Sequence, residues 1–119
     1  MSRYGVLKNN RDFQKVYKNG KSYANKYLVM YVLENGTDIT RIGISVSKKV
    51  GNSVVRHRCT RLIREACRLN YGDIKTGYDI VIISRATHKG SGYKVTESAL
   101  LHLLRLHSIK KDNEVNLGN

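Results

Sequence analysis

Hydrophobic positions along the chain alternate between helical spacing and every-second-residue spacing, and the switches divide it into elements. Asn9 or Asn10 is placed to cap a first helix running to about Asn19, with Asp12 in its first turn and Gly20 as the residue after its end. Phe13, Val16 and Tyr17 share one face of it. Residues 27–33 (YLVMYVL) are rich in β-formers and predict a strand, Asn35-Gly36 a turn, and residues 41–47 the returning strand. Alternation puts Tyr27, Val29, Tyr31 and Leu33 on one face of the first strand and Leu28, Met30 and Val32 on the other. Such a strand belongs to a sheet covered on both sides, or covered on one side with a tyrosine-bearing face left for a ligand. A long helix follows Asn52, and residues 78–84 (YDIVIIS) predict a central strand. A last helix starts between Ser91 and Thr96 and runs to about His107; its leucines cover more than one stripe, with His102 and His107 at the edges. Residues 2–8 read as a mobile basic lead-in and 110–119 as a frayed tail. The order α-β-β-α-β-α predicts an α+β sandwich on one small sheet, a single domain over residues 1–119. If the strands flanking the long helix are parallel neighbours, the general rule makes that crossover right-handed.

The long helix has two unlike faces. At about 100° per residue, Val55, Cys59, Leu62, Ile63, Ala66 and Leu69 fall on one arc. His57, Arg61, Arg64 and Arg68 fall on the opposite arc, flanked by Arg56 and Arg58, and Lys48-Lys49 precede the helix. Glu65 is the only acid between Ser45 and Asn70. A solvated face normally mixes signs, because like charges at i,i+4 cost stability. This face is made for a polyanion.

Composition strengthens that reading. The 119 residues carry 22 Lys and Arg against 9 Asp and Glu, a net charge of +13, which is self-repulsive unless a polyanion neutralises it. Cys59 and Cys67 lie on one helix, roughly 12 Å apart at 1.5 Å rise per residue, beyond disulfide reach. They read as reduced structural thiols of a cytosolic protein. No Cys/His cluster has zinc spacing. Residues 1–10 lack a signal-peptide core, and no apolar run approaches the roughly 18 residues of a membrane span. A cytoplasmic location without membrane partners is therefore expected. Phe13 and Tyr17, beside Arg11, Lys15 and Lys18, suit two roles: core packing, or a platform on which single-stranded RNA stacks its bases.

Residues 41–58, RIGISVSKKVGNSVVRHR, continued by Arg61-Leu62-Ile63-Arg64-Glu65, resemble the signature of the protein subunit of bacterial ribonuclease P. That family's pattern is an Arg-x-Gly-x-x-Val-Ser-Lys-Lys strand end followed by Gly-Asn-Ala-Val-x-Arg-Asn-Arg on a helix. The first helix and the strand at 78–85 are also similar to the family, so the likeness spans Asn9 to about His107. Two places depart from it: His57 stands where asparagine is usual, and Cys59-Thr60 where an aliphatic residue and lysine are usual.

The resemblance implies an RNA-binding subunit of the ribonucleoprotein endonuclease that removes the 5′ leader from precursor tRNA. Catalysis is then expected from the RNA subunit with magnesium ions, none of them bound by the protein alone. Docking on that RNA falls to Lys48, Lys49, Asn52, Arg56, His57, Arg58, Arg61, Arg64 and Arg68, and the leader to Phe13, Tyr17 and Tyr31. The implied fold is similar to the second domain of the fifth small-subunit ribosomal protein, with a left-handed β-α-β crossover against the general rule. The residues themselves are consistent with this division of labour. The acids are scattered, and no carboxylate stands near His57 in sequence to orient it as a base. Other readings are a ribosomal or RNA-chaperone module, a DNA-binding protein, and a protein-only ribonuclease using His57 or His88.

Overall fold

The computed structural model describes residues 3–111. Its elements are β1 (Tyr4–Val6), α1 (Asn10–Asn19), β2 (Lys21–Ala24), β3 (Leu28–Glu34), β4 (Thr40–Ser45), α2 (Ser53–Leu69), β5 (Tyr78–Ser84) and α3 (Tyr93–Leu106). Single 3-10 turns occupy Tyr71–Asp73 and Ala86–His88. The mixed α+β architecture is the expected one, with two more strands than the sequence pattern announces.

Those additions are the edges of a five-stranded sheet ordered β1-β4-β5-β3-β2. β1 falls inside the lead-in expected to be mobile. It pairs in parallel with β4, Tyr4 opposite Thr40 and Val6 opposite Ile42, and Leu7 behind it is buried. β2 pairs antiparallel with β3, which pairs antiparallel with β5. The start of the expected tail is also tied down: Lys75 N–H donates to the Ile109 carbonyl at 2.8 Å and Lys111 N–H to the Asp73 carbonyl at 2.7 Å. Fraying at residues 1–2 and 112–119 falls outside the described residues.

Both faces of the sheet are covered, unequally. Leu28, Met30, Ile42, Ile80 and Ile82 meet Ile63 and Ala66 of α2 and Leu100, Leu103 and Leu104 of α3 in the main core. Each of the Leu, Ile and Met side chains contributes about 1.5–3 kcal/mol on burial. On the other face α1 covers a smaller cluster of Leu7, Val16 and Val81, edged by Phe13, Tyr17, Tyr31, Leu33 and Ile83. Tyr27 precedes β3 and packs on the main core, not beside Tyr31 as simple alternation predicts.

α1 begins where expected: the Asn9 side chain accepts from Asp12 N–H at 2.9 Å. Its end differs in mechanism. Gly20 has φ −84°, an ordinary extended value rather than a left-handed cap. Glycine is required by crowding, since a Cβ there would come within 2.6 Å of the Val16 carbonyl oxygen and 2.9 Å of that of Val32.

β4 and β5 are parallel neighbours, Ile42 opposite Ile80, joined through α2. Viewed with a strand of L-residues pointing up and one side chain forward, that residue's N–H and C=O point right. The Ile42 side chain points forward into the core with α2, and its carbonyl accepts from Leu7 N–H at 3.1 Å. β1 thus lies to the right of β4 and β5 to the left, so the path over α2 advances leftward. The crossover is left-handed, as the family likeness implies and contrary to the general rule.

Candidate nucleic-acid interface

α2 is started by Asn52, whose side chain accepts from Val55 N–H at 3.0 Å. Cys59, Ile63, Ala66 and Cys67 form its buried face, while Leu69 is 55% exposed. The buried arc is therefore rotated toward Cys67 relative to the predicted one, because the sheet and α3 decide which side of the helix is covered. Arg58, Arg61, Arg64 and Arg68 are exposed on the other side, as are His57, Lys48 and Lys49. Arg56 is half-buried, its Nε donating to the Gly51 carbonyl at 3.1 Å. Arg58 Nη1 donates to the Ser91 carbonyl at 2.8 Å. Arg68 grips Glu65 through two hydrogen bonds of 3.0 and 2.7 Å, which removes it in part from the cationic arc. Among the described residues Arg61 and Arg64 make no ion pair. A groove along this face is lined by Arg58, Arg61, Leu62, Arg64, Glu65 and Arg68.

The aromatic side chains meet on the opposite face of the sheet. Phe13 and Tyr17 of α1 have ring centroids 6.4 Å apart, and Tyr17 meets Tyr31 of β3 edge-on at 5.1 Å. All three are half-buried, one side on the small core and the other toward solvent. The two roles suggested for Phe13 and Tyr17 thus coexist in the geometry. Phe13 reaches the sheet over Gly43, where a Cβ would stand 2.5 Å from its ring.

Sequence reasoning missed how α1 is fastened. Arg41 of β4 donates to both carboxylate oxygens of Asp79 on β5, at 2.9 and 2.6 Å, and reaches Asp12 of α1 at 3.3 Å. Asn35 adds a donor to Asp79 at 2.9 Å. Burial pushes the Asp79 carboxyl up, but the hydrogen bonds from Arg41 and Asn35 outweigh it and hold the group below the ordinary carboxylate range. Arg41 and Gly43 belong to the quoted motif; register alone reveals what they touch.

Of the two histidines proposed for a protein-only nuclease, His57 is exposed on α2 and His88 is a core residue. His88 is fully buried, with Ser84 Oγ 3.0 Å from Nδ1 and Thr96 Oγ1 2.7 Å from Nε2. The Thr96 hydroxyl donates to the Gly92 carbonyl at 3.0 Å, which makes Nε2–H the donor of a neutral ring. Burial, then the Arg58 charge, lower its pKa. Among the described residues no three His, Cys, Asp or Glu side chains converge to hold a metal ion.

Comparison with known proteins agrees with this geometry. A family model described as Ribonuclease P matches residues 1–107. The ribonuclease P protein component of Lachnoclostridium phytofermentans is 61% identical over 108 residues, covering 91% of this chain and 93% of the relative. That of Clostridioides difficile is 53% identical over 100 residues, covering 83% and 88%. Among solved structures, the RNase P protein of Staphylococcus aureus aligns with a TM-score of 0.80 at 36% identity, over 92% of this chain and 98% of that one. The Thermotoga maritima protein gives 0.78 at 36%, over 85% and 96%. By sequence, by fold and by the basic helix over a left-handed crossover, the chain belongs to the ribonuclease P protein family.

Proposed function

We propose that this chain docks on the catalytic ribonuclease P RNA and holds the single-stranded 5′ leader of precursor tRNA for removal. The docking surface is Lys48, Lys49 and the N-terminal turn capped by Asn52, continued by Arg56, His57, Arg58, Arg61, Arg64 and Arg68. The leader lies across Phe13, Tyr17 and Tyr31. The observation that carries this reading is the placement of two unlike surfaces on opposite faces of one sheet. One is a basic arc with only Arg68 ion-paired among the described residues, and the other carries half-open rings. Cations hold phosphate without reading sequence, and rings accept any base, so both suit a subunit that serves many precursors.

Phosphodiester hydrolysis needs an acid–base pair or a metal cage. Among the described residues Asp12 and Asp79 are engaged by Arg41, Asp38 by Arg3 and Glu65 by Arg68, and Glu34, Asp73 and Glu97 join no cluster of three ligating side chains, a donor set that does not fit a protein-held magnesium. In this reading the ions and the chemistry belong to the RNA. No helix among the described residues is long and apolar enough to cross a membrane; in this reading the chain works in the cytoplasm, where precursor tRNA is made.

The test is reconstitution: the protein is added to its cognate ribonuclease P RNA at low magnesium and leader cleavage is followed. Restored cleavage is expected, with none from the protein alone. RNA binding without restored cleavage would favour a ribosomal or chaperone-type module, and cleavage by the protein alone would favour a protein-only nuclease.

A further inference from the structure

Register carries three separate segments to one end of the sheet. Leu28 stands opposite Ser84, Ser45 opposite Ile83 and Ala24 opposite Val29. That end therefore gathers residues 24–28, 45–58 and 84–96, and these segments contain no Asp or Glu. Besides the cations already assigned to docking, they contribute Lys26, Arg85, Lys89 and Lys94. At the other end, where Glu34 stands opposite Tyr78 and Leu33 opposite Asp79, the signs are mixed. Arg3 pairs there with Asp38, and Arg41 with Asp79.

The acid-free end is held in place by hydrogen bonds. Arg58 ties α2 to the loop before α3 through the Ser91 carbonyl. Arg85 Nη1 donates to the Asn25 carbonyl at 2.6 Å, and the Thr87 hydroxyl to that of Lys26. The Asn25 amide donates to the Ala99 carbonyl at 2.9 Å and accepts from Tyr27 and Leu28 N–H. The turn bearing Lys26 is thus fixed against α3, beside a concavity of about 410 Å³ that Lys26 and Lys94 both line. A preformed site loses less freedom on binding than a mobile one.

We infer that Lys26, Arg85, Lys89 and Lys94 form a second seat for the phosphate backbone of the ribonuclease P RNA, continuous with α2 at Arg58. The inference rests on the docking reading above and extends it past the helix. Glu97, just beyond these segments on α3, meets the Lys94 charge while accepting hydrogen bonds from Asn70 and Tyr93, so it offsets the cluster only in part, and the remaining excess of positive charge is relieved by a polyanion. Lys26, its ammonium 5.4 Å from the centre of the Tyr27 ring, and Lys94 line one open concavity, which suits a ribose-phosphate chain better than a point ion. The RNA subunit is the source because the seat continues from α2 and lies on the α2–α3 side of the sheet, away from the aromatic face.

Three double variants are titrated with the RNA subunit alone across a range of salt: Lys26→Ala with Lys94→Ala, Lys75→Ala with Lys110→Ala at the mixed end, and Arg61→Ala with Arg64→Ala on α2. Removing Lys26 and Lys94 should flatten the log affinity–log salt plot by about two units, one for each contact. The mixed-end control, which loses the same charge, should change it much less. If the Lys26/Lys94 slope equals that of the parent or of the control while the Arg61/Arg64 slope falls, the second seat is wrong and α2 docking stands. If the Arg61/Arg64 slope is also unchanged, the docking reading fails with it. Unchanged RNA-subunit binding with weaker binding of precursor tRNA by the holoenzyme would give the seat to the precursor and overturn the assignment.

Discussion

Asp79 is the one buried acid among the described residues, and its two-point grip on Arg41 joins β4, β5 and α1. Its folded pKa is depressed, so its contribution is present above the unfolded carboxylate pKa of about 3.9 and lost as pH falls through the folded value. Asp79→Asn should cost about 1.5–3 kcal/mol at pH 7, the range for hydrogen bonds to a charged group. The gap between parent and variant should shrink as pH drops below about 4. His88, also lowered, contributes with the same sign in both proteins and cancels from the difference. Urea unfolding of the pair at several pH values measures this; a gap that does not change with pH would mean the carboxylate charge is not what matters. The sequence shows Arg41 and Asp79 only as residues of two strands. Their meeting depends on parallel register, which periodicity does not encode.

The elements legible in the sequence were those with enough residues to show a period. α2 declares both its faces over 17 residues, and β5 carries the unbroken apolar run Ile80-Val81-Ile82-Ile83 of the kind central strands require. β1 and β2 were not legible. They have three and four residues, lie at the sheet edges, and are half-exposed or exposed throughout, so no alternation distinguishes them from loop. Their structure comes from pairing with β4 and β3. The aromatic face was legible as residue types on a helix and a strand, but the closeness of α1 to the sheet was not. That closeness depends on Gly43, under Phe13. Gly43→Ala should force the ring away and cost about 1–3 kcal/mol, as overpacking does. It should also weaken precursor binding while leaving RNA-subunit affinity intact. Urea unfolding and the two binding titrations together check this; unchanged stability and binding would show that α1 does not depend on that contact.

For the whole molecule, the sheet separates two tasks. α2 and α3 bury the main core and leave cations outward on their side, while α1 covers the other face incompletely and leaves three rings half open. The central claim is that those rings hold the leader rather than merely filling a core. The most direct measurement compares precursor and mature tRNA binding by holoenzymes assembled with Tyr17→Ala or Tyr31→Ala. The account predicts a modest loss of protein stability and weaker precursor binding, by about 1–3 kcal/mol for each stacked base lost, with mature tRNA binding nearly unchanged. It would be contradicted if both variants lost about 3–5 kcal/mol of stability, as buried aromatic residues do, yet still discriminated precursor from mature tRNA as well as the parent does.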